Sequence, residues 1–258
     1  MKDTYSTIVS NQHIKNNYWV IKLETGWKDY TPGQFIMLDI PGETTFLRRP
    51  FSIAKLANGI VEICYKMVGE GTSAMTRLPV GSKLLALGPL GNGFAIPATT
   101  TLAGRCNTLR HLLVAGGYGI APLLGLAERL RGQDIHLFYG AKTAEDLLYL
   151  DEFKKLGVEL HLTTEDGSKG EDGLVTDVLK KFLRQRTNAL YACGPKAMLD
   201  SVRTIAPSHQ IQLSLESYMA CGSGVCLGCV VQDKQGEYVR VCREGPVFDA
   251  EALKCLSA

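Results

Sequence analysis

The chain has 258 residues, of which 45% are apolar and 21% are charged, and its formal net charge is +2. This length suffices for two compact domains and a small further segment, and the composition is that of an ordinary globular protein. The nearly balanced charge, without a basic run, argues against nucleic acid or an anionic membrane surface as a partner. No stretch approaches the ~18 apolar residues of a membrane-spanning helix, so we expect no membrane span.

The first hundred residues show short apolar runs separated by turn pairs such as Pro-Gly and Asn-Gly. These runs predict strands at 18–23, 34–40, 50–55, 60–68 and 83–88. About six strands at such spacing are typical of a small closed sheet, because closure removes the unpaired sheet edges. We therefore expect residues 1–101 to form an antiparallel Greek-key β-barrel.

Two segments of the predicted barrel carry groups suited to a cofactor. Arg49 and Phe51 alternate along one strand and share a face, where a guanidinium suits a phosphate and a ring suits a flat heterocycle. Ser52 suits a hydrogen bond to a ring nitrogen. Gly71 and Thr72 lie at the start of a short predicted helix, where backbone N–H groups favour an anion. A plain turn is the alternative interpretation of this second segment.

From about residue 109 the pattern changes to buried strands that alternate with amphipathic helices. Strands are predicted at 111–117, 135–140, 158–166, 189–195 and 211–217, and helices from 122 and over 144–156, 175–184 and 196–204. This alternation predicts a parallel doubly wound α/β domain over residues 102–212. Its ligand should lie at the carboxyl ends of the strands.

Two of these strand ends carry glycine turns. The first leads into a helix and suits a dinucleotide pyrophosphate, although its spacing is not G-x-G-x-x-G; it contains Gly116, Gly117 and Gly119. The second contains Cys193, Gly194 and Pro195. For this second turn, a buried thiol followed by a simple helix entry is an equal alternative. The five histidines show no paired spacing and no carboxylate companion, so none receives a catalytic role.

Four cysteines near the end of the chain carry the strongest chemical signal. They follow the spacing C-x4-C-x2-C-x12-C, the plant-type ligand spacing of a [2Fe–2S] cluster, and are Cys221, Cys226, Cys229 and Cys242. The glycines between them allow a loop that turns N–H groups towards sulfur. The alternatives are a zinc knuckle, which normally pairs two short spacings, and two disulfides. We expect residues 213–258 to bind a cluster, and the lack of a signal segment favours the reducing cytoplasm.

These three regions, in this order, resemble the ferredoxin–NADP reductase superfamily over the whole chain. The stretches ESYMACGSGVCLGC and CREGPVF narrow the resemblance to the electron-transfer subunits of type B dihydroorotate dehydrogenases. The resemblance implies an FAD site formed by Arg49, Pro50, Phe51, Ser52, Tyr65, Lys66, Gly71 and Thr72. It implies an NAD site formed by Gly116, Gly117, Gly119, Cys193, Gly194 and Pro195, with Cys193 at the edge of the nicotinamide pocket.

The resemblance also implies a route for electrons. NAD exchanges two electrons as a hydride and the cluster takes one, so FAD, which does both, must lie between them. The implied partner is an FMN-containing subunit that oxidises dihydroorotate in pyrimidine biosynthesis, in a heterotetramer with two copies of each chain. The sequence offers no candidate for the base of that oxidation, and no catalytic residue is assigned. The uncharged cluster loop, with Val225 and Leu227, is expected to contact the partner.

Two alternatives are kept. The first is the small subunit of an NAD(P)H–ferredoxin or sulfide oxidoreductase, which shares the architecture. Some of those relatives replace one cluster cysteine with a carboxylate, so four cysteines favour the pyrimidine assignment. The second is a non-enzymatic iron–sulfur redox sensor, which would need no path for a hydride.

Overall fold

The computed structural model describes residues 2–42, 46–97, 110–183, 189–207, 209–254 and 256. The first part of the chain forms seven strands and one helix: β1 (Lys2–Lys15), β2 (Tyr18–Glu24), β3 (Phe35–Asp39), β4 (Arg49–Ser52), β5 (Lys55–Ala57), β6 (Ile60–Lys66), α1 (Glu70–Thr76) and β7 (Lys83–Leu90). The strands form one antiparallel sheet in the order β4-β3-β7-β1-β2-β6-β5.

This sheet closes because β4 and β5 are two halves of one extended segment. Ser52 on β4 pairs with Phe35 on β3, and two residues later Ala54 N donates to Glu62 O on β6 at 2.9 Å. The segment therefore connects the two edges of the sheet, and a sheet whose edges are connected is a barrel. The predicted barrel is confirmed, and the strand predicted at 50–55 is divided between two neighbouring strands.

The second part of the chain forms an α/β layer structure. Its elements are β8 (His111–Gly116), α2 (Ile120–Arg129), β9 (Ile135–Ala141), α3 (Leu150–Lys155), β10 (Glu159–Thr164), β11 (Glu171–Asp172), α4 (Val175–Phe182), β12 (Ala189–Cys193), α5 (Lys196–Ile205), β13 (Gln210–Ser214), β14 (Val230–Gln232), β15 (Tyr238–Arg240) and β16 (Val247–Asp249). The main sheet has the order β11-β10-β9-β8-β12-β13-β16. Its strands are parallel except for the antiparallel pair β13–β16, which confirms the predicted doubly wound domain.

The end of the chain is built into this domain. β16 pairs with β13, and Asn92 at the end of the barrel bridges to Pro246, just before β16. The predicted boundary between residues 212 and 213 falls inside β13, and the other predicted boundary, at 101, lies outside the described residues. The cluster segment is therefore tied by backbone hydrogen bonds both to the barrel and to the α/β sheet.

The predicted helix at 144–156 is wrong in its first half. Only Leu150–Lys155 is α-helical; a single 3-10 turn covers Ala144–Asp146, and Tyr149 has a left-handed φ of 59°. Leu147 and Leu148, which lie between the 3-10 turn and α3, are both buried in the core. The short predicted helix between β6 and β7 begins at Glu70, just before Gly71.

Apolar packing joins the barrel to the α/β domain. One core cluster contains Tyr18, Ala54 and Cys64 of the barrel together with Leu123 and Leu124 of α2. Cys64 is buried in this cluster as a small core residue. In the described part of the chain, no helix combines the length and apolar character that crossing a bilayer requires.

Candidate functional site

The predicted FAD residues fall into two contacting groups on the barrel. The rings of Phe51 and Tyr65 meet edge to face with centroids 6.2 Å apart, and Tyr65 donates a hydrogen bond to Asn11 Oδ1 at 3.0 Å. The side chain of Arg49, which belongs to β4, reaches the start of α1: a Cβ on Gly71 would lie 3.4 Å from Arg49 Nε. An aromatic pair beside a guanidinium and a helix start suits a flavin nucleotide, which joins a flat ring to phosphates.

The other predicted FAD residues have structural partners. The Thr72 hydroxyl accepts hydrogen bonds from Val68 N at 2.9 Å and Gly69 N at 3.2 Å, so its side chain shapes the turn before α1. Lys66 Nζ donates to the Tyr18 hydroxyl at 3.2 Å and lies 3.7 Å from Asp146 of the α/β domain. Pro50 and Ser52 lie on β4 opposite β3. Lys66 is thus directed towards the neighbouring domain.

The two glycine turns of the α/β domain meet at the carboxyl ends of β8 and β12. A Cβ on Gly119 would lie 2.3 Å from Cys193 O, and one on Gly116 would lie 2.7 Å from Pro195 Cδ. Gly117 has open space around it but a φ of +55°, which side chains disfavour. The strand order reverses between β8 and β12, and this is where doubly wound sheets bind ligands.

Cys193 lies at the end of β12 and is shielded from solvent. Its side chain is fully buried, and burial, together with the charge of Glu216, raises the pKa of its thiol. The position of Cys193 at the edge of a nicotinamide pocket stays a prediction. Gly194 and Pro195 do line an open cleft of about 440 Å³, which extends towards the cluster segment at Val230 and Tyr238.

Two polar residues at this edge were missed by the sequence analysis. The Tyr118 hydroxyl donates to Glu216 Oε2 at 2.9 Å. The negative charge of Glu216 raises the pKa of Tyr118, and desolvation raises the pKa of Glu216, although solvent still reaches this carboxylate in the cleft. Glu216 directly follows the apolar run of β13, so an acidic residue at a predicted strand end was the available signal.

The four cluster cysteines come together in two pairs. Cys221 interacts with Cys226, and Cys229 interacts with Cys242. Cys226 is exposed, whereas Cys229 and Cys242 are each only 3% exposed. Two thiolate pairs are what two irons require, so the donor set fits a [2Fe–2S] cluster.

Backbone N–H groups point at the sulfurs, as the glycine pattern predicted. Cys242 N donates to Cys229 Sγ at 3.4 Å, and Ser223 N donates to Cys221 Sγ at 3.4 Å. Burial raises the pKa of Cys221, but bonds from Cys226 and Ser223 outweigh it and lower the pKa to about 5. At Cys221 these bonds thus favour the thiolate form that binds iron, whereas burial, with the neighbouring Cys229, raises the pKa of Cys242 to about 12.

Neighbouring elements hold the cluster loop in place. A Cβ on Gly222, whose φ is +65°, would lie 2.5 Å from Met37 Cγ on the barrel. Arg240 donates to Gly224 O at 3.1 Å and pairs with Glu244, whose Oε2 lies 2.9 Å from Arg240 Nε. The loop therefore rests on the barrel and is fastened to β15.

Two of the histidines meet beside a carboxylate in the folded chain, which corrects the expectation that they have no carboxylate companion. His136 on β9 and His161 on β10 lie side by side, with Nδ1 and Nε2 3.2 Å apart, and Glu159 is close to both. The pattern Glu-x-His places two side chains on one face of a strand. That spacing was the overlooked signal.

Family models match two of these regions. The iron-sulfur cluster binding domain of dihydroorotate dehydrogenase B matches residues 216–254, and the oxidoreductase NAD-binding domain matches residues 113–204. A relative from Caldanaerobacter subterraneus, named dihydroorotate dehydrogenase B (NAD(+)), electron transfer subunit, is 41% identical over 95% of this chain and 96% of its own. The chain belongs to this family.

Two further comparisons agree with that membership. A Fusobacterium nucleatum relative of the same name is 37% identical over 98% of this chain and 99% of its own length. A solved NADH-dependent reduced ferredoxin-NADP oxidoreductase superposes with a TM-score of 0.83 and 30% identity, over 97% of this chain and 90% of that chain. The predicted reductase fold and the predicted iron–sulfur and NAD-binding regions are confirmed, and the barrel is that of an FAD-dependent reductase.

Proposed function

We propose that this chain carries electrons from a dihydroorotate-oxidising flavin subunit, through a [2Fe–2S] cluster and FAD, to NAD+ in the de novo synthesis of UMP. The observation that carries the proposal is the loop of four paired cysteines, which rests on the barrel and adjoins the edge where the glycine turns meet. Relatives named as electron transfer subunits of NAD-dependent dihydroorotate dehydrogenase B support it.

In this proposal the barrel holds FAD. Phe51 and Tyr65 would lie against the flavin, and Arg49 with the Gly71 turn would bind its phosphates; Pro50, Ser52, Lys66 and Thr72 complete the predicted set. FAD, when bound, supplies the conversion between a hydride and single electrons. The protein's part is to place the ring beside the edge where Gly116 and Gly194 meet.

NAD is assigned to that edge. The close contacts of Gly116, Gly119 and Gly194 bring the two turns together beside the start of α2, and the open space around Gly117 leaves room for a pyrophosphate there. Tyr118 and Glu216 offer a hydroxyl and a carboxylate for the nicotinamide side of the cleft. The chain is divided, in this interpretation, into an FAD domain at 1–101, an NAD domain at 102–212 and a cluster segment at 213–258.

The partner is proposed to dock over the cluster loop. Val225 and Leu227 are 81% and 61% exposed on either side of Cys226, the exposed ligand. Apolar side chains lose little hydration when another protein covers them, and they allow a close approach of two redox groups. An FMN-containing barrel, two copies of each chain in the complex and a cytoplasmic location belong to the same proposal. The described cysteines are all free, as a reducing compartment requires.

The decisive experiment is coupled turnover. The chain, purified anaerobically with the dihydroorotate-oxidising subunit that its sequence family implies, should reduce NAD+ in the presence of dihydroorotate. Analysis should find one FAD and one [2Fe–2S] cluster per chain. Zinc in place of iron, or a complex that oxidises dihydroorotate without reducing NAD+, would contradict the proposal.

A matched pair of variants tests the docking face. Leu227→Glu should leave NADH-dependent dye reduction by the isolated chain unchanged and weaken the complex, because a carboxylate would be desolvated at the contact. Val80→Glu is the control, since Val80 is 64% exposed and lies on the barrel before β7. Equal coupled turnover in both variants would place the docking surface elsewhere.

A second candidate function rests on the solved reductase at 30% identity. That protein is an NADH-dependent reduced ferredoxin-NADP oxidoreductase, so a ferredoxin-linked role is the alternative for this chain. Reduced ferredoxin and dihydroorotate, offered separately to the purified complex, distinguish the two. We expect NADH formation from dihydroorotate alone; NADH formation from ferredoxin alone would favour the alternative.

A further inference from the structure

A cluster of ligand side chains lies on the α/β sheet, away from every cofactor region described above. It consists of His136 near the start of β9 and Glu159 and His161 at the start of β10. The glycine turns lie at the opposite, carboxyl ends of the strands. Because Glu159 pairs with His136 across the strands and His161 follows two residues later, all three side chains share one face.

The ligand atoms are spaced as a bound metal requires. His136 Nδ1 lies 3.2 Å from His161 Nε2 and 3.4 Å from Glu159 Oε2, and His161 Nε2 lies 3.5 Å from Glu159 Oε1. A tetrahedral zinc ion with bonds of about 2.0–2.1 Å sets its ligand atoms about 3.3 Å apart. Each imidazole thus faces a different oxygen of Glu159, and one ligand atom from each residue lies within 4.8 Å of the other two, so a small movement of the exposed Glu159 side chain would place the three on one face of such a tetrahedron.

A second carboxylate supports one of the imidazoles. His136 Nε2 lies 3.0 Å from Asp134 Oδ1, and Asp134 is held in turn by Arg110 Nε at 2.9 Å from Oδ2. Histidines that bind metals through one nitrogen almost always donate the other N–H to such an acceptor. This contact assigns the proton of His136 to Nε2 and leaves Nδ1 free to bind.

Aromatic rings fix the orientation of the imidazoles. His161 stacks on Phe138 with centroids 4.4 Å apart, and Phe182 at the end of α4 lies 4.8 Å from His136 and 5.3 Å from His161. Glu159, by contrast, has a side chain that is 64% exposed. The two imidazoles are thus held by packing on the inner side of the site, and ions can reach the site from the solvent beside Glu159.

We propose that His136, Glu159 and His161 bind a zinc ion that links β9 to β10, with water as the fourth ligand. Two imidazoles and one carboxylate are a ligand set that zinc prefers, and thiolates are not needed. The ion would hold β9 and β10 together at their amino ends, at the end of the sheet opposite the glycine turns. A simple hydrogen bond between the two rings is the competing explanation of their contact.

Zinc binding should be measured on the anaerobically purified chain with its FAD and cluster intact. After treatment with a chelator, zinc is titrated with a metal-buffered indicator while iron content is followed. We expect one zinc per chain without loss of iron, and a higher melting temperature, because a ligand of the folded state stabilises it.

Three variants and a matched control locate the zinc. Glu159→Gln removes an exposed ligand with little effect on packing, and His161→Gln removes an imidazole; each should weaken zinc binding at least about tenfold. Asp134→Asn should weaken it by about 10–100-fold through His136. Glu165→Gln, an exposed carboxylate just beyond the other end of β10, should bind zinc like the wild type.

Three results would overturn the proposal. The first is a wild-type chain that binds no zinc. The second is equal zinc affinity in the wild type, Glu159→Gln and His161→Gln, which would leave only a hydrogen-bonded histidine pair. The third is zinc that binds only as iron is lost, which would place it on the four cluster cysteines.

Discussion

At the carboxyl edge of the α/β sheet, the two glycine turns fit against each other through main-chain atoms. A Cβ on Gly119 would lie 2.3 Å from Cys193 O and 2.9 Å from Gly194 N. The cluster loop between Cys221 and Cys229 is held differently, by Arg240 on Gly224 O, by side-chain packing on Met37 and by N–H groups that face sulfur. The edge where the two glycine turns meet, called here the nucleotide edge, is therefore shaped by folding alone. The cluster loop, in contrast, needs bonds from its thiols to iron to complete its structure.

The largest expected effect is the loss of the cluster without loss of the reaction at the nucleotide edge. Cys226→Ser should abolish cluster binding, since one of four thiolate ligands is lost. NADH should still bleach the flavin, because the glycine turns do not depend on the loop. Iron analysis and anaerobic stopped-flow absorbance measure the two functions. Cys64→Ala, a change in the barrel core, should retain the cluster; loss of flavin bleaching in Cys226→Ser with FAD still bound would show that the two regions are coupled.

Steric substitution tests the nucleotide edge. Gly119→Ala should lower the free energy of unfolding by about 3 kcal/mol or more, because the new methyl group meets backbone atoms that have nowhere to move. Gly117→Ala is the matched control: its φ is +55° but its surroundings are open, so we expect a cost of only about 1 kcal/mol. Chemical denaturation measures both. Equal costs would mean that backbone conformation, and not the contact between the turns, governs this edge.

Loosening the cluster loop should have a smaller effect. Arg240→Ala removes the bond to Gly224 O and the ion pair with Glu244. Losing such a bond costs about 1–2 kcal/mol, so iron should pass to a chelator roughly tenfold faster while the cluster still assembles. Glu237→Gln, which changes an exposed carboxylate near the same strands, should not alter the rate. An unchanged rate in Arg240→Ala would show that the cysteines alone hold the loop.

The smallest expected effect concerns pH at the nucleotide edge. Desolvation raises the pKa of Glu216 above its usual 4.5, so the folded chain binds this proton more tightly than the unfolded chain. Stability is then lost as pH rises from 4.5 through the folded pKa. The melting temperature of Glu216→Gln should therefore rise relative to that of the wild type as the pH increases above about 4.5 and through the folded pKa of Glu216. The gain should be small because solvent reaches the carboxylate, and a constant difference would contradict the assignment.

Much of the molecule follows from local patterns. The cysteine spacing identified the cluster ligands because three of them lie within nine residues, Cys221–Cys229, where the loop geometry depends on little else. The alternation of apolar runs and turns predicted the barrel, and the change of period near residue 109 predicted the doubly wound sheet. Both glycine turns could be predicted because each follows an apolar strand, and ligands of a parallel sheet bind at the carboxyl ends of its strands.

The remaining features depend on contacts between distant segments. The burial of Cys193, the bond between Tyr118 and Glu216, and the pairing of β16 with β13 join residues that are tens of positions apart in the chain. The segment 144–149 is not α-helical, because the burial of both Leu147 and Leu148 in the core overrides the local helix propensity. His136 and His161 meet only because β9 and β10 are neighbours in register, and register is decided by the burial of whole strands and not by the residues that it brings together.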